Sequence, residues 1–477
     1  MIRDAQPALF DFFPRKSIEV QQVDEQVSSD GGLVVFRELD QKLTLTESFA
    51  GQIEDGRSDP TQSLLSVIRQ RVFGILAGYE DQNDHDTLRS DPVFKLIADR
   101  VPDDKDLASQ PTISRVENSV TPSDLLRLED WFIDRFVESF DEPPTRITLD
   151  IDTFADSAHG AQQLTFFNNF YKENVYQVRV ITCAQNDQIV LPVLLHGTAH
   201  VSLAAADDLT RVVNALRKRF PDLEIHIRAD AGFAVPNLYE ALESLVGVTY
   251  SIGYQMNKLM REKCDKLMEL TLHQFEQTGQ ETKNYMYLSH QARGWSHARD
   301  MVIKCEANIQ GTNRRIVVTN RAGAEQYPDG TYQEYGDRGE SENRNKELTV
   351  DLSADRLSDH RYMANLFRIM MHALSCNLLA RLRAVVADPP PELGPDSEGI
   401  PVEASSEHRK RTAGNRRRRM DPLGRGRAMT WRTLVIKVAA RVEATTRRVR
   451  ILIPSNWPHG HFLFKVSRSL AAFSPSG

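Results

Sequence analysis

Cysteine is scarce in this chain: four residues in 477, at positions 183, 264, 305 and 376, with no CxxC pair among them. That spacing excludes a zinc finger and a disulfide framework, and it points to a reducing compartment. Long apolar runs are also missing. None approaches the ~20 residues of a membrane span, and the opening "MIRDAQPALFDFFPRK" lacks the apolar core of a secretory signal. No internal repeat is visible. The expectation is a cytoplasmic protein with no membrane partner, ordinary in composition at 40% hydrophobic and 26% charged. Its length allows two or three domains and a sizeable core.

What is present begins with charge. The net value is −7, yet His408 to Arg468 holds 17 Lys/Arg against two acids, Asp421 and Glu443. An acidic body with a basic end suits a polyanion partner. "HRKRTAGNRRRRMDPLGRGR", centred on Arg416, Arg417, Arg418 and Arg419, can follow a nucleic-acid backbone without a fixed fold. The plainer reading of such a run is a solvated tail.

Hydropathy patterning divides the chain. Residues 35 to 140 carry helical spacing, as in "TQSLLSVIRQRVFGILAGY" and "PSDLLRLEDWFIDRFVESF", and "DEPPTR" closes a helical N-terminal region spanning 1–140. From Ile147 alternation takes over: "ITLDID", "NVYQVRVITCA" and "IVLPVLLHG" read as three strands. A helix to Pro221, the strand "EIHIRA", a helix from Pro236 and the strand "VTYSIGY" follow. The order β-β-β-α-β-α-β predicts an antiparallel meander continued by parallel strands, which is the order of an RNase H-like mixed α/β sheet. Such a domain would occupy 145–385. "KNYMYLSHQ", "DMVIKCEANI" and "RRIVVTN" suggest a β-rich insertion at about 255–335, and "YMANLFRIMMHALSCNLLARLRAVVA" a buried helix. Residues 386–428 read as a disordered linker, basic in its second half. "TLVIKVAARV" and "RRVRILIP" then suggest a basic C-terminal hairpin within 429–477.

Carboxylates gather at predicted strand ends, where open α/β sheets collect ligands. Asp150 and Asp152 share one strand face because side chains alternate with period two, and Asp230 ends the fourth strand. If those strands are neighbours, the carboxylates meet and need a cation, for which Mg²⁺ with its hard oxygen ligands is the natural choice. Two such ions can hold the attacking and leaving oxygens of a phosphoryl displacement. A strand-end aspartate can equally cap the following turn. "YGDRGESENRNKEL" offers a third carboxylate, Glu342, with Lys346 on its helix face at i+4 and Arg338 one turn earlier. A solvated, self-paired helix start reads the same way.

Three blocks in order carry a resemblance: "LDIDTFADSAHGAQQLTFFNNFY", "IRADAGF" and "YGDRGESENRNKEL". They resemble the DDE transposases of bacterial insertion sequences, most closely the cut-and-paste branch with a Tyr-Arg-Glu-Lys signature, here Tyr335, Arg338 and Glu342. "GYEDQNDHDTLRSDPVF" and "RVRILIPSNWP" are similar to family segments too, so the likeness spans roughly residues 20 to 385 and 430 to 470. Two departures stand out. Thr349 takes the place of the signature lysine, leaving Lys346 nearby. Phe154 takes the place of a Thr common in the first block, which leaves Asp150 and Asp152 both open as the first ligand, with Asp152 favoured as further out.

The resemblance implies a transposase that binds terminal inverted repeats, cleaves DNA and joins a 3′-OH to target DNA. Asp152 (or Asp150), Asp230 and Glu342 would be catalytic and hold two Mg²⁺ ions, for which Mn²⁺ can substitute. Tyr335 and Arg338 would lie against the DNA end, with Lys346 and Arg416–Arg419 on DNA, and the double-stranded substrate would bring two protomers together. An RNase H-like endonuclease without strand transfer, or an inactive DNA-binding relic, fits the same blocks.

Overall fold

Alternating apolar residues from Ile147 onward lay down one large sheet. The computed structural model describes residues 8–10, 12, 14–388 and 420–475. The Arg416–Arg419 run and most of the expected linker lie outside the described residues. The sheet's first five long strands are, in chain order, Arg146–Ser157, Glu173–Cys183, Ile189–Leu195, Glu224–Ala229 and Val248–Tyr254, with a three-residue edge strand, Phe166–Asn168, beside the second. They stand in the spatial order third, second, first, fourth, fifth. The first three pair antiparallel, whereas the first, fourth and fifth run parallel. Helices Ala205–Arg219 and Pro236–Ser244 make the crossovers. This is the RNase H-like mixed α/β sheet that the strand order predicts.

The region after the fifth strand extends that sheet. Gly311–Thr319 pairs antiparallel with the fifth strand, and Arg299–Asn308 and Thr282–His290 follow outward. The three strand-like segments of the insertion are therefore strands. Between the fifth strand and this meander runs a 21-residue helix, Lys258–Thr278, that the strand-weighted reading did not anticipate. Its signals are local ones. Asn257 Oδ1 accepts the Met260 N–H at 2.9 Å, Met260, Cys264 and Met268 bury one stripe, and Gly279 ends it with φ +66°.

Alternation on the strands separates two cores. Ile147, Leu149 and Ile151 face a cluster built with helices Ala205–Arg219, Pro236–Ser244 and Lys258–Thr278. The opposite face meets helix Tyr362–Val386 and the N-terminal helices through Tyr176, Val178 and Val180. Asp150 and Asp152, at even positions, belong to that second face. Helix Tyr362–Val386 is, among the described residues, the one long and apolar enough by composition to cross a membrane, contrary to the expectation that no such run exists. It is the central helix of a core, with most of that stretch buried inside the fold.

N-terminal and C-terminal segments share this core. Helix Leu33–Leu43 packs with Trp431, Val435 and the last helix, Gly460–Ala472, and Lys42 Nζ donates to the Phe473 carbonyl at 2.9 Å. The expected hairpin is present at Ala440–Thr445 and Arg448–Leu452, with Val27–Ser28 as a third strand. "TLVI", however, is helical, in the turn Arg432–Ile436 that continues helix Ala428–Trp431. Tertiary contacts outweigh its β-branched residues: Trp431 is fully buried, and the Arg432 guanidinium donates to the Ile75 and Leu76 carbonyls at 2.8 Å. Those carbonyls end helix Leu64–Ala77, where a cation is favourable.

Candidate active site

The parallel register sets Ile151 beside Ala229, so Asp152 and Asp230 follow the last parallel pair side by side; Asp230 lies just past its strand, while the first strand continues beyond Asp152 to Ser157. Asp230 Oδ1 accepts the Gly232 N–H at 2.8 Å and caps the one-turn helix Ala231–Phe233. Capping thus uses one oxygen and does not remove the carboxylate from the site. Gly232 is required for closeness: a Cβ there would lie 2.8 Å from Val201 Cγ2.

Asp150 and Asp152, two residues apart on one face, have different company. Asp150 is buried and takes a bidentate pair of hydrogen bonds from Arg228, at 2.6 and 2.8 Å. Arg344 adds a longer contact of 3.4 Å and itself pairs with Asp187 at 2.5 Å. Arg228 also donates to the Glu334 carbonyl at 2.9 Å. Asp150 is thereby the anchor of a buried arginine network that ties helices Pro328–Gly336 and Gly339–Lys346 to the sheet.

Asp152 has no such pairing. Its Oδ2 accepts from Asn345 Nδ2 at 3.0 Å and stands 3.4 Å from Arg338 Nη1. Burial pushes its carboxyl up to about 6; Arg338 and the Thr153 N–H pull it back, while Asp230 and Glu342 add repulsion. Glu342, about half exposed, meets the other end of the same guanidinium, 3.4 Å from Arg338 Nη2. Arg338 therefore bridges Asp152 and Glu342, and it lies over the Tyr335 ring at 5.8 Å. Burial works against its charge, but Tyr335, Asp152, Glu342 and Asp230 outweigh burial and raise its pKa.

Tyr335 reaches the turn after Asp230. A Cβ on Gly253 would come within 2.7 Å of its hydroxyl, so the fifth strand leaves room for the ring only because that residue is glycine. Lys346 is exposed, and Glu342 pairs with Arg338 rather than with it. At the signature lysine's place, the Thr349 hydroxyl donates to the Asn345 carbonyl at 2.8 Å.

The structure brings Asp152, Asp230, Glu342, Arg338 and Tyr335 together, and it sets Asp150 into the arginine network beneath them. Asn345, Arg344 and Arg228 escaped the sequence reading. Arg228 had a signal, since a charge in the apolar strand "EIHIRA" demands a buried partner. Asn345 lies three residues after Glu342, which is one helical turn.

Among the described residues, no three His, Cys, Asp or Glu side chains stand close enough to hold a metal ion as placed. The donors nonetheless fit a hard cation: carboxylate oxygens only, with a mostly buried Asp152 whose charge Arg338 leaves incompletely balanced. The bridging guanidinium holds the positive charge of the cluster. A concavity lined by Phe140, Pro144, Arg146, Arg219 and Glu224 opens at the opposite ends of the first and fourth strands and includes none of these residues.

The family model described as transposase DDE domain group 1 matches residues 10–390. The chain belongs to that family. It is a DDE transposase, an enzyme of the nuclease/transferase class, and the three blocks that resemble the family lie around the cluster just described. No curated protein matches it. Among solved structures, it is similar to the piggyBac transposase synaptic complex with hairpin DNA, seen by cryo-EM, at 12% identity and a TM-score of 0.39, with 87% of this chain and 83% of that chain covered.

Proposed function

We propose that this transposase moves a bacterial insertion sequence by a cut-and-paste route. It binds the terminal inverted repeats, hydrolyses a strand at each end and joins the freed 3′-OH to target DNA. What supports this reading is that Asp152 and Glu342 share one arginine, which also feels the charge of Asp230, where the parallel pairing of two strands ends. These three carboxylates would hold Mg²⁺, two ions in the full site with Mn²⁺ able to substitute, which supplies Lewis-acid stabilisation of the reacting phosphate and an acidified water.

The chain's own residues have distinct tasks. Asn345 fixes the rotamer of Asp152. Asp150, through Arg344, seats the helix that carries Glu342. Arg338 has two matched nitrogens for a phosphate once it leaves the carboxylates, and Tyr335 supports its guanidinium from below. Such a grip meets charge where it develops in the transition state. Lys346 and the basic C-terminal end, including Arg416, Arg417, Arg418 and Arg419, would follow the phosphate backbone. Pairing two element ends calls for a homodimer on DNA, in the bacterial cytoplasm.

DNA flanking the gene supplies the test substrate: matching inverted repeats, incubated with the protein and Mg²⁺, should be cut at their 3′ ends and joined to a second duplex. Nicking without joining of a supplied 3′-OH end would instead indicate an RNase H-like endonuclease. Binding without metal-dependent nicking would indicate an inactive relic, the reading that Thr349 at the lysine position favours.

A further inference from the structure

Phe166, Phe167 and Phe170 crowd five positions of the connection between the first and second strands, the first two on a short edge strand, Phe166–Asn168, that pairs antiparallel with the second. They are three of the seven exposed aromatic side chains among the described residues, and Phe170 is 85% exposed. Clustered apolar exposure of this kind marks a binding surface more often than an accident. The connection is also built to hold its rings. Asn168 Oδ1 accepts the Phe170 and Tyr171 N–H groups at 2.9 and 3.4 Å, and its Nδ2 donates to the Gly197 carbonyl at 2.8 Å. Gly197 can only be glycine, since a Cβ would fall 2.4 Å from the Phe166 carbonyl oxygen. Phe170 and Tyr171 meet edge to face at 5.0 Å.

The same connection is tied to the carboxylates. Gly197 belongs to a segment that continues to Val201, whose Cγ2 closes on Gly232, two residues past Asp230. Arg179 holds the Val201 and Leu203 carbonyls in place. The Tyr171 hydroxyl, raised in pKa by burial, also feels Asp230 and Asp152.

We propose that Phe167, Phe170 and Tyr171 form a stacking platform for an unpaired nucleobase of the DNA strand bound at the carboxylates. The inference rests on the transposase reading and deepens it. Every base offers a π face to an aromatic ring, so the platform needs no particular sequence. Exposed Lys172 follows the rings directly, where the strand's phosphate would run. Three rings are also far too small a surface for a stable protein interface, which takes about 800 Å² per partner.

The test uses the full chain in EDTA with two probes of one sequence, a blunt duplex and a forked duplex carrying 2-aminopurine in its unpaired arm. The wild type should bind the fork about tenfold more tightly and quench the probe. Phe170→Leu, apolar but without a ring, should lose most of that preference and quenching; Phe170→Trp should keep both. Equal affinities without quenching, or a Phe170→Leu variant that behaves as wild type, would overturn the platform. So would a Phe170→Leu variant that shifts only the oligomeric state, which would make the patch a contact between copies. Metal-dependent nicking of the element's ends with no fork preference removes the platform alone. Absence of both DNA binding and nicking removes the transposase reading, and the platform with it.

Discussion

Replacing Asp152 by Asn should stabilise the metal-free protein at pH 8. Asp152 is mostly buried, and its folded carboxyl is pushed up to about 6, first by burial and then by Asp230 and Glu342. The folded chain therefore holds this proton longer than the unfolded chain does. Well below the ordinary carboxylate value the effect vanishes, since both states are protonated. A penalty grows as pH rises from about 4 to 6 and stays constant above. At 1.36 kcal/mol per pH unit, a rise of about two units corresponds to about 3 kcal/mol. The pull of Arg338 is already contained in that net rise; Asn345 would lose a charged partner in the variant, which offsets about 1 kcal/mol, so a net gain of about 2 kcal/mol is expected. Urea denaturation in EDTA reads this directly. At pH 5 the charge penalty should be roughly half its pH 8 value, and the gain smaller accordingly. A variant less stable than wild type at pH 8, or a gain independent of pH, would refute the reasoning.

Asp150→Ala should act in the opposite sense, because it leaves the buried Arg228 guanidinium without its bidentate partner. A loss of about 3 to 5 kcal/mol is expected, and a loss under 1 kcal/mol would contradict the anchoring role. Glu347→Ala removes the buried acceptor shared by Arg383 and the Ala428 N–H. It should cost about 3 kcal/mol and open residues 420–436 to limited proteolysis; a variant as protease-resistant as wild type would contradict it. Arg338→Ala should tighten Mn²⁺ binding to the DNA-free protein several-fold by electron paramagnetic resonance, since it frees Asp152 and Glu342 from the bridging guanidinium. Unchanged or weaker binding would mean that Arg338 does not compete with the cation.

The sheet was legible because its strands alternate cleanly and its crossover helices end at Pro221 and begin at Pro236. Helix Lys258–Thr278 was missed although its cap and its apolar stripe were both in view, because strand-like segments flank it. "TLVI" misled for the opposite reason: its β-branched residues favour a strand locally, but Trp431 and Arg432 gain more from the core and from the end of helix Leu64–Ala77. At the site, the motif spacing named the residues that converge, but it could not separate Asp150 from Asp152. Period-two alternation makes them equivalent, and only Arg228 and Arg344, from a distant strand and helix, distinguish them. The exposure of Phe166, Phe167 and Phe170 is a property of the folded chain and has no counterpart in the sequence pattern.

If Asp230 belongs to a metal-binding carboxylate cluster, capping the turn is not its only task. Asp230→Asn keeps an oxygen for the Gly232 N–H, so the turn should survive. Cleavage of the element's ends in Mg²⁺, measured beside end binding, then decides the matter. Binding close to wild type with cleavage reduced by about a thousandfold or more is expected; cleavage within about tenfold of wild type would contradict a metal-binding role for Asp230.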